Sequence, residues 1–460
     1  MDIDINAYSL VIGGSLVIIF SYFANVIAKK TNIPSVLLLI ILGIGIQQGL
    51  EYIGKDEIPY KDLLLEFLGT VGLIFIVLEA ALDLELKKEK WPIIWKSFVV
   101  ALGALILSSF AIAYFLHFVV FDSFLNALVY AIPLSIMSSA IIIPSVGGLV
   151  EDQKEFMVYE STFSDILGIL FFYQLLGNMD SESVGQVVVN VSSTIGLTIL
   201  LGVLVSYGLV FVLQKINSSV KLFLIIAVLL LIYAVEKLAH LSPLILILIF
   251  GLMLNNHKIF FRKKMANWVN GKKIKTLTHD FHVLTLESAF VIRTFFFVIF
   301  GASIVLSSLL GLDVLFFSLV IVVLLYAVRL VFLWIFKKKA IFPLLYIAPR
   351  GLITILLYFQ IQKYEKEFVH PGFDEGILLL VIMVTSLVMT ISLIQNGFGI
   401  KEVERNDETS DFLFLTDQTK PTVVLDPDSN PSSSDIDEQS NDADEDSSEN
   451  DQPTSPNDHN

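Results

Sequence analysis

Glu160-Ser161-Thr162-Phe163-Ser164-Asp165 runs directly into Ile166-Leu167-Gly168-Ile169-Leu170-Phe171-Phe172. A polar hexad ending in a carboxylate thus opens a strongly apolar stretch. An ionised side chain at the centre of a bilayer costs about 2.5–3.5 kcal/mol on insertion scales, so a carboxylate kept there marks a functional site. On a helix, Ser161, Ser164, Asp165 and Gly168 stand at i, i+3, i+4 and i+7, which is one face. Two hydroxyls, one carboxylate and a glycine that permits close approach suit a small dehydrated cation.

The surrounding chain sets the class. Hydrophobic residues make up 55% of 460, the mean hydropathy is +0.76, and repeated apolar runs of this length read as membrane-spanning helices. The expected fold class is an all-α polytopic membrane protein. With no cysteine, a disulfide framework, a thiolate metal site and a thiol nucleophile are excluded. The start, Met1-Asp2-Ile3-Asp4-Ile5-Asn6, is acidic where a cleavable signal is basic, so residues 8–28 read as a retained first helix. The net charge of −15 comes from one end: 18 acidic and 3 basic residues follow position 400, leaving 27 of each before it. Two regions follow, a transmembrane domain over 1–400 and an acidic tail over 401–460. The tail reads as disordered and solubilising, since it has too little apolar surface to offset the entropy of ordering.

Apolar runs bounded by charges or turn residues predict thirteen helices, at about 8–28, 34–50, 61–84, 94–119, 124–149, 157–177, 186–213, 221–237, 242–255, 280–306, 312–336, 341–362 and 375–397. With that count, one side of the membrane carries 22 Lys and Arg and the other 5, and only Arg293, Arg329 and Arg350 lie within spans. The positive-inside rule then predicts a cell-membrane protein with its N-terminus outside and its tail in the cytoplasm. An odd count suits two inverted six-helix repeats joined by helix 7, an arrangement that places substrates at the midplane near broken helices. Helix 5 has Pro133 and Pro144 around Ser138-Ser139-Ala140; helix 12, its counterpart, has Pro349-Arg350-Gly351. Proline removes a backbone donor and clashes with the preceding turn, so both helices are expected to be discontinuous.

Several motifs occur together in order. Glu160-Ser161-x-x-Ser164-Asp165 resembles the Glu-Ser-x-x-Asn-Asp signature of the monovalent cation:proton antiporters, the sodium–proton exchanger superfamily. Arg293-Thr294-Phe295-Phe296-Phe297, Ala348-Pro349-Arg350-Gly351 and Phe75-Ile76-Val77-Leu78-Glu79-Ala80-Ala81-Leu82 are similar to three further stretches of that family. The resemblance spans about residues 8–397. It departs at Ser164, where electroneutral exchangers usually carry Asn, and at Ser139-Ala140, where helix 5 usually carries Thr-Asp. The second departure is shared with the potassium-efflux branch.

The resemblance implies a homodimeric exchanger of Na⁺ or Li⁺ for H⁺, not an enzyme, with K⁺/H⁺ exchange as the alternative. It works by alternating access in the lipid bilayer, with helices 5, 6, 12 and 13 as a core that moves against a dimerisation domain. Asp165 alternates between cation and proton. Ser164, Ser161, Glu79 and a carbonyl near Ser139 are the other candidate ligands, as a hard cation such as Na⁺ takes oxygen donors. The resemblance also implies a structural ion pair between Glu160 and Arg293 and a charge-compensating role for Arg350 at the crossing of the breaks. Arg329 reads as snorkelling or locally paired, and the histidines as surface groups. No cofactor is expected beyond the transported ions, and no nucleic-acid partner. A channel would need a carbonyl filter or charged ring, and an intramembrane protease two convergent aspartates or a Ser/His pair; the sequence offers neither pattern.

Overall fold

A computed structural model describes residues 7–31, 34–52, 61–177, 184–216, 221–238, 243–261, 270–304, 311–337, 341–364 and 373–395. The acidic tail and the 262–269 part of the basic loop lie outside the described residues. All regular elements among those described are helices: α1 (Ala7–Thr31), α2 (Ser35–Tyr52), α3 (Lys61–Asp83), α4 (Trp91–Val119), α5 (Phe124–Ser135), α6 (Ser139–Ser145), α7 (Glu151–Leu176), α8 (Val184–Leu213), α9 (Lys221–Leu238), α10 (Pro243–Asn255), α11 (His257–Phe260), α12 (Gly271–Ser303), α13 (Leu312–Phe336), α14 (Leu352–Tyr364) and α15 (Glu375–Gln395). Among the described residues, nine stretches are long and apolar enough to cross a membrane, and four shorter apolar helices accompany them. The protein is a multi-pass membrane protein.

Polarity is distributed as lipid demands. Glu160, Asp165, Arg329 and Arg350 are buried, while Val11, Phe20, Phe110, Leu319 and Trp334 are exposed on the outer surface. Charged groups inside a bilayer face the bundle interior, where they find partners.

The helices pack in two groups. In one, α12 lies against α1, α2 and α3, and α10 against α3, α8 and α9. At the α2–α12 crossing, a Cβ on Gly43 would run into the backbone at Val298 and Gly301, and one on Gly301 into Ile40. Two glycines there let the backbones touch, the means by which membrane helices gain dispersion contact without a hydrophobic driving force. In the other group, α4 packs on α5, α7 and α13, α6 on α7, α14 on α5, and α15 on α13. The groups meet where α3 approaches α7 and α14.

Four places differ from the sequence reading in ways that matter here. α7 begins at Glu151, not at 157, since Glu151 and Asp152 occupy its first turn, where carboxylates complement the helix dipole. α12 begins at Gly271 rather than 280: the Asn270 side chain accepts from the Lys273 N–H and caps a polar first turn. In helix 5 the extended residues are 136–138, and Ser139 already opens α6. Helix 12 departs most. Residues 342–346 form a turn, 347–351 carry no helix, and α14 starts only at Leu352. Pro343 and Pro349, six positions apart, both lack the N–H a helix needs.

Candidate functional site

The two interrupted segments cross. The Ser138 N–H donates to the Pro349 carbonyl at 3.0 Å. A side chain at Gly351 would lie 2.6 Å from Ser138 Oγ and 2.9 Å from its Cβ, so only glycine lets the two segments approach this closely. Each break frees backbone groups that must be satisfied inside the protein. The Leu134 carbonyl, at the end of α5, accepts from Arg350 Nε at 3.0 Å, and the Pro133 carbonyl from Thr354 Oγ1 at 2.9 Å. Arg350 also donates through Nη1 to the Ala348 carbonyl at 2.6 Å, and its own N–H goes to Thr385 Oγ1 at 3.1 Å. A guanidinium is thus held at the negative end of the α5 half-helix, where its charge offsets the dipole.

The opposite end of the break meets α7. Asp165 Oδ2 accepts the Ser139 N–H at 3.1 Å, and Ser164 Oγ accepts the Met137 N–H at 3.0 Å. Gly168, one turn on, has Ile136 where a Cβ would be; the glycine predicted to permit close approach lies against the unwound segment. Asp165 is 2% exposed, and its Oδ1 has no hydrogen-bond partner among the described residues. A buried carboxylate oxygen held ready in this way can take a proton or a cation.

Ser161 is turned differently from expectation. Its hydroxyl donates to the Val158 carbonyl on its own helix at 3.2 Å, the usual resting place of a serine on a membrane helix. Glu79 lies on α3, in the other helix group, with Oε1 3.2 Å from Arg293 Nη2 and Oε2 buried without a partner among the described residues.

The expected pairing of Glu160 with Arg293 is corrected. Glu160 is completely buried and takes both arms of Arg329, at 2.7 Å (Nη1 to Oε1) and 3.2 Å (Nη2 to Oε2). Arg293 pairs with Glu79 instead. The reason is adjacency: α12 packs on α3, whereas α7 and α13 share the group around α4. Arg329 neither snorkels nor pairs within its own helix. Its Nε and Nη2 also reach the Leu344 carbonyl at 3.1 and 2.9 Å, and Met137 Sδ lies 2.9 Å from Nη1. The signal for it was present in the sequence, an arginine deep in the 312–336 apolar run that lipid does not tolerate unpaired. His282, read as a surface histidine, is half-buried with Nε2 2.8 Å from Asp83. No cluster of three or more metal-ligating His, Asp or Glu side chains occurs among the described residues.

This architecture has known counterparts. A structure of the sodium proton antiporter MjNhaP1 from Methanocaldococcus jannaschii, determined at pH 8, is similar with a TM-score of 0.64 over 85% of this chain and 97% of that one, at 21% identity. A second structure of that antiporter, from an electron-microscopy map, gives a TM-score of 0.60 over 86% and 96% at 20% identity. No curated protein matches the sequence. At such identities the likeness establishes the fold. The family is established by the sequence itself: residues 15–395 match the transmembrane region of the sodium/hydrogen exchangers. With its broken helices crossing beside a buried aspartate, the chain belongs to the sodium/hydrogen exchanger family, a family of membrane transporters.

Proposed function

We propose that the protein exchanges Na⁺ or Li⁺ for H⁺ across the cell membrane, one for one, with Asp165 as the group both ions compete for. The observation that supports this reading is the state of the Asp165 carboxylate. One oxygen is fixed by the Ser139 N–H and the other is buried and unspent. Ser164 Oγ stands beside it on the same break. Ser161 reaches an ion by releasing its bond to Val158, and Glu79 offers its free Oε2 from the facing group. A single exchanging carboxylate favours electroneutral transport, because Glu79 and Glu160 are each matched by an arginine.

The reading includes thirteen spans as two inverted repeats, the N-terminus outside, the tail in the cytoplasm, a homodimer, and no cofactor beyond the ions carried. Alternating access moves the group containing α5, α6, α7 and α14 against the other. K⁺/H⁺ exchange is the second reading, favoured by one observation: helix 5 presents Ser139-Ala140, without a carboxylate, to Asp165.

Purified protein in proteoliposomes tests both. Proton movement driven by Na⁺ and Li⁺ but not K⁺, unaltered by an imposed membrane potential, is the expected result. Drive by K⁺ alone selects the second reading, a rate that follows the potential rejects electroneutrality, and cation flux without proton movement rejects exchange.

A further inference from the structure

A small cavity with room for one water molecule lies inside the group built on α4, and Asp165 is not among the residues that line it. Its polar lining is Ser108, Ser135, Glu160, Ser164, Arg329 and Arg350, all buried. The hydrogen-bond ledger of these six is uneven. Ser108 and Ser135 spend their hydroxyl protons on the Ala104 and Ala131 carbonyls one turn back, leaving each oxygen able only to accept. Ser164 Oγ accepts from Met137, but its own proton has no acceptor among the described residues. Arg350 spends Nε and Nη1 on carbonyls, and its Nη2 has no protein acceptor among the described residues. Glu160 and Arg329 satisfy each other. The residues that line this one small space thus hold two unspent donors and two acceptors.

We propose that this cavity is a binding site for a single ordered water, which accepts from Arg350 Nη2 and the Ser164 hydroxyl and donates to Ser108 and Ser135. Buried waters are kept where two to four polar groups lack other partners. The donor–acceptor balance selects water over an ion. An anion would face the lone pairs of two serines whose protons are spent, and a cation would face Arg350. The water joins the guanidinium that caps α5 to the residue beside Asp165, so it holds Ser164 with its lone pairs toward the break and its proton away from it. This inference rests on the resting geometry and stands apart from which ion is exchanged.

An experimental map of the full chain at a resolution that shows waters, collected in bromide buffer, is the direct test. A peak within hydrogen-bonding distance of Arg350 Nη2 and a serine oxygen, without anomalous signal, is expected. Absence of a peak overturns the proposal, as does a bromide anomalous signal there. A variant pair gives an independent reading, because Ala101 also lines the cavity. Ala101→Val expels the water and should lower the melting temperature in detergent by about 2–5 °C, since it strands a buried donor. Ala101→Ser supplies a hydroxyl in place of the water and should melt within about 1 °C of the parent. A valine variant more stable than the parent would show a dry cavity gaining packing, which also overturns the proposal.

Discussion

Asp165→Asn keeps the volume and the hydrogen bond to the Ser139 N–H but removes the titrating group. The variant should insert and purify like the parent and show no cation-driven proton flux. Retained flux in proteoliposomes would move the exchange site elsewhere. Glu160 and Arg329 call for a different experiment. Removing either partner leaves the other charge buried and unpaired, a loss of about 3–5 kcal/mol. Glu160→Ala and Arg329→Ala should therefore each be severely destabilising, with the double variant losing far less than their sum. The parallel cycle of Glu160 with Arg293 should be additive, as the two make no contact. Thermal unfolding in detergent measures both cycles, and coupling in the second rather than the first would reject the pairing. The burial of Asp165 was legible in the sequence because a carboxylate in an apolar run is conspicuous by its cost. The partners of the arginines were not. Three arginines lie within spans, Glu79, Glu160 and Asp165 are among the carboxylates there, and only helix adjacency chooses among the matchings.

Broken helices are the elements on which the site depends, and Gly351 is their tightest point. A methyl there meets Ser138 Oγ and Cβ inside van der Waals contact. Gly351→Ala should push the crossing segments apart, costing about 1–3 kcal/mol and slowing exchange, because the Ser138–Pro349 bond and the Ser139 N–H on Asp165 shift with it. Gly147, with nothing near its Cβ direction, is the control, and Gly147→Ala should leave transport unchanged. Equal transport by both variants would mean that the crossing tolerates displacement. The prolines made both breaks visible in the sequence. Their exact form was not visible, since Arg329 and Arg350 stabilise it from elsewhere in the chain. Arg329 takes the Leu344 carbonyl within the turn, and Arg350 the carbonyl ending α5. A local pattern does not reveal a donor 15 or 216 positions away.

At the scale of the whole molecule, composition was enough to read a helical membrane protein, and the hydropathy runs located each described long helix. The partition into two packed groups was only partly legible, because it depends on which apolar faces meet and lipid-facing and protein-facing residues are equally apolar. The acidic tail permits a prediction from sequence alone. Truncation after about residue 405 should leave basal exchange intact, since the apolar runs all precede it. The Phe412-Leu413-Phe414-Leu415 patch is the place where this could fail. Two truncations, one on each side of 411–415, measured for exchange across pH, decide whether the tail is inert or adjusts the pH dependence.

The two ion pairs divide cleanly between the helix groups. Glu79 and Arg293 join α3 to α12 within one; Glu160 and Arg329 join α7 to α13 within the other. Neither bond crosses the seam along which the groups meet. The sliding motion proposed above would therefore rupture neither of these two buried pairs. With that motion, the activation enthalpy of turnover should be set by apolar contacts and lipid rearrangement, and should respond to bilayer thickness and fluidity more than to loss of either pair.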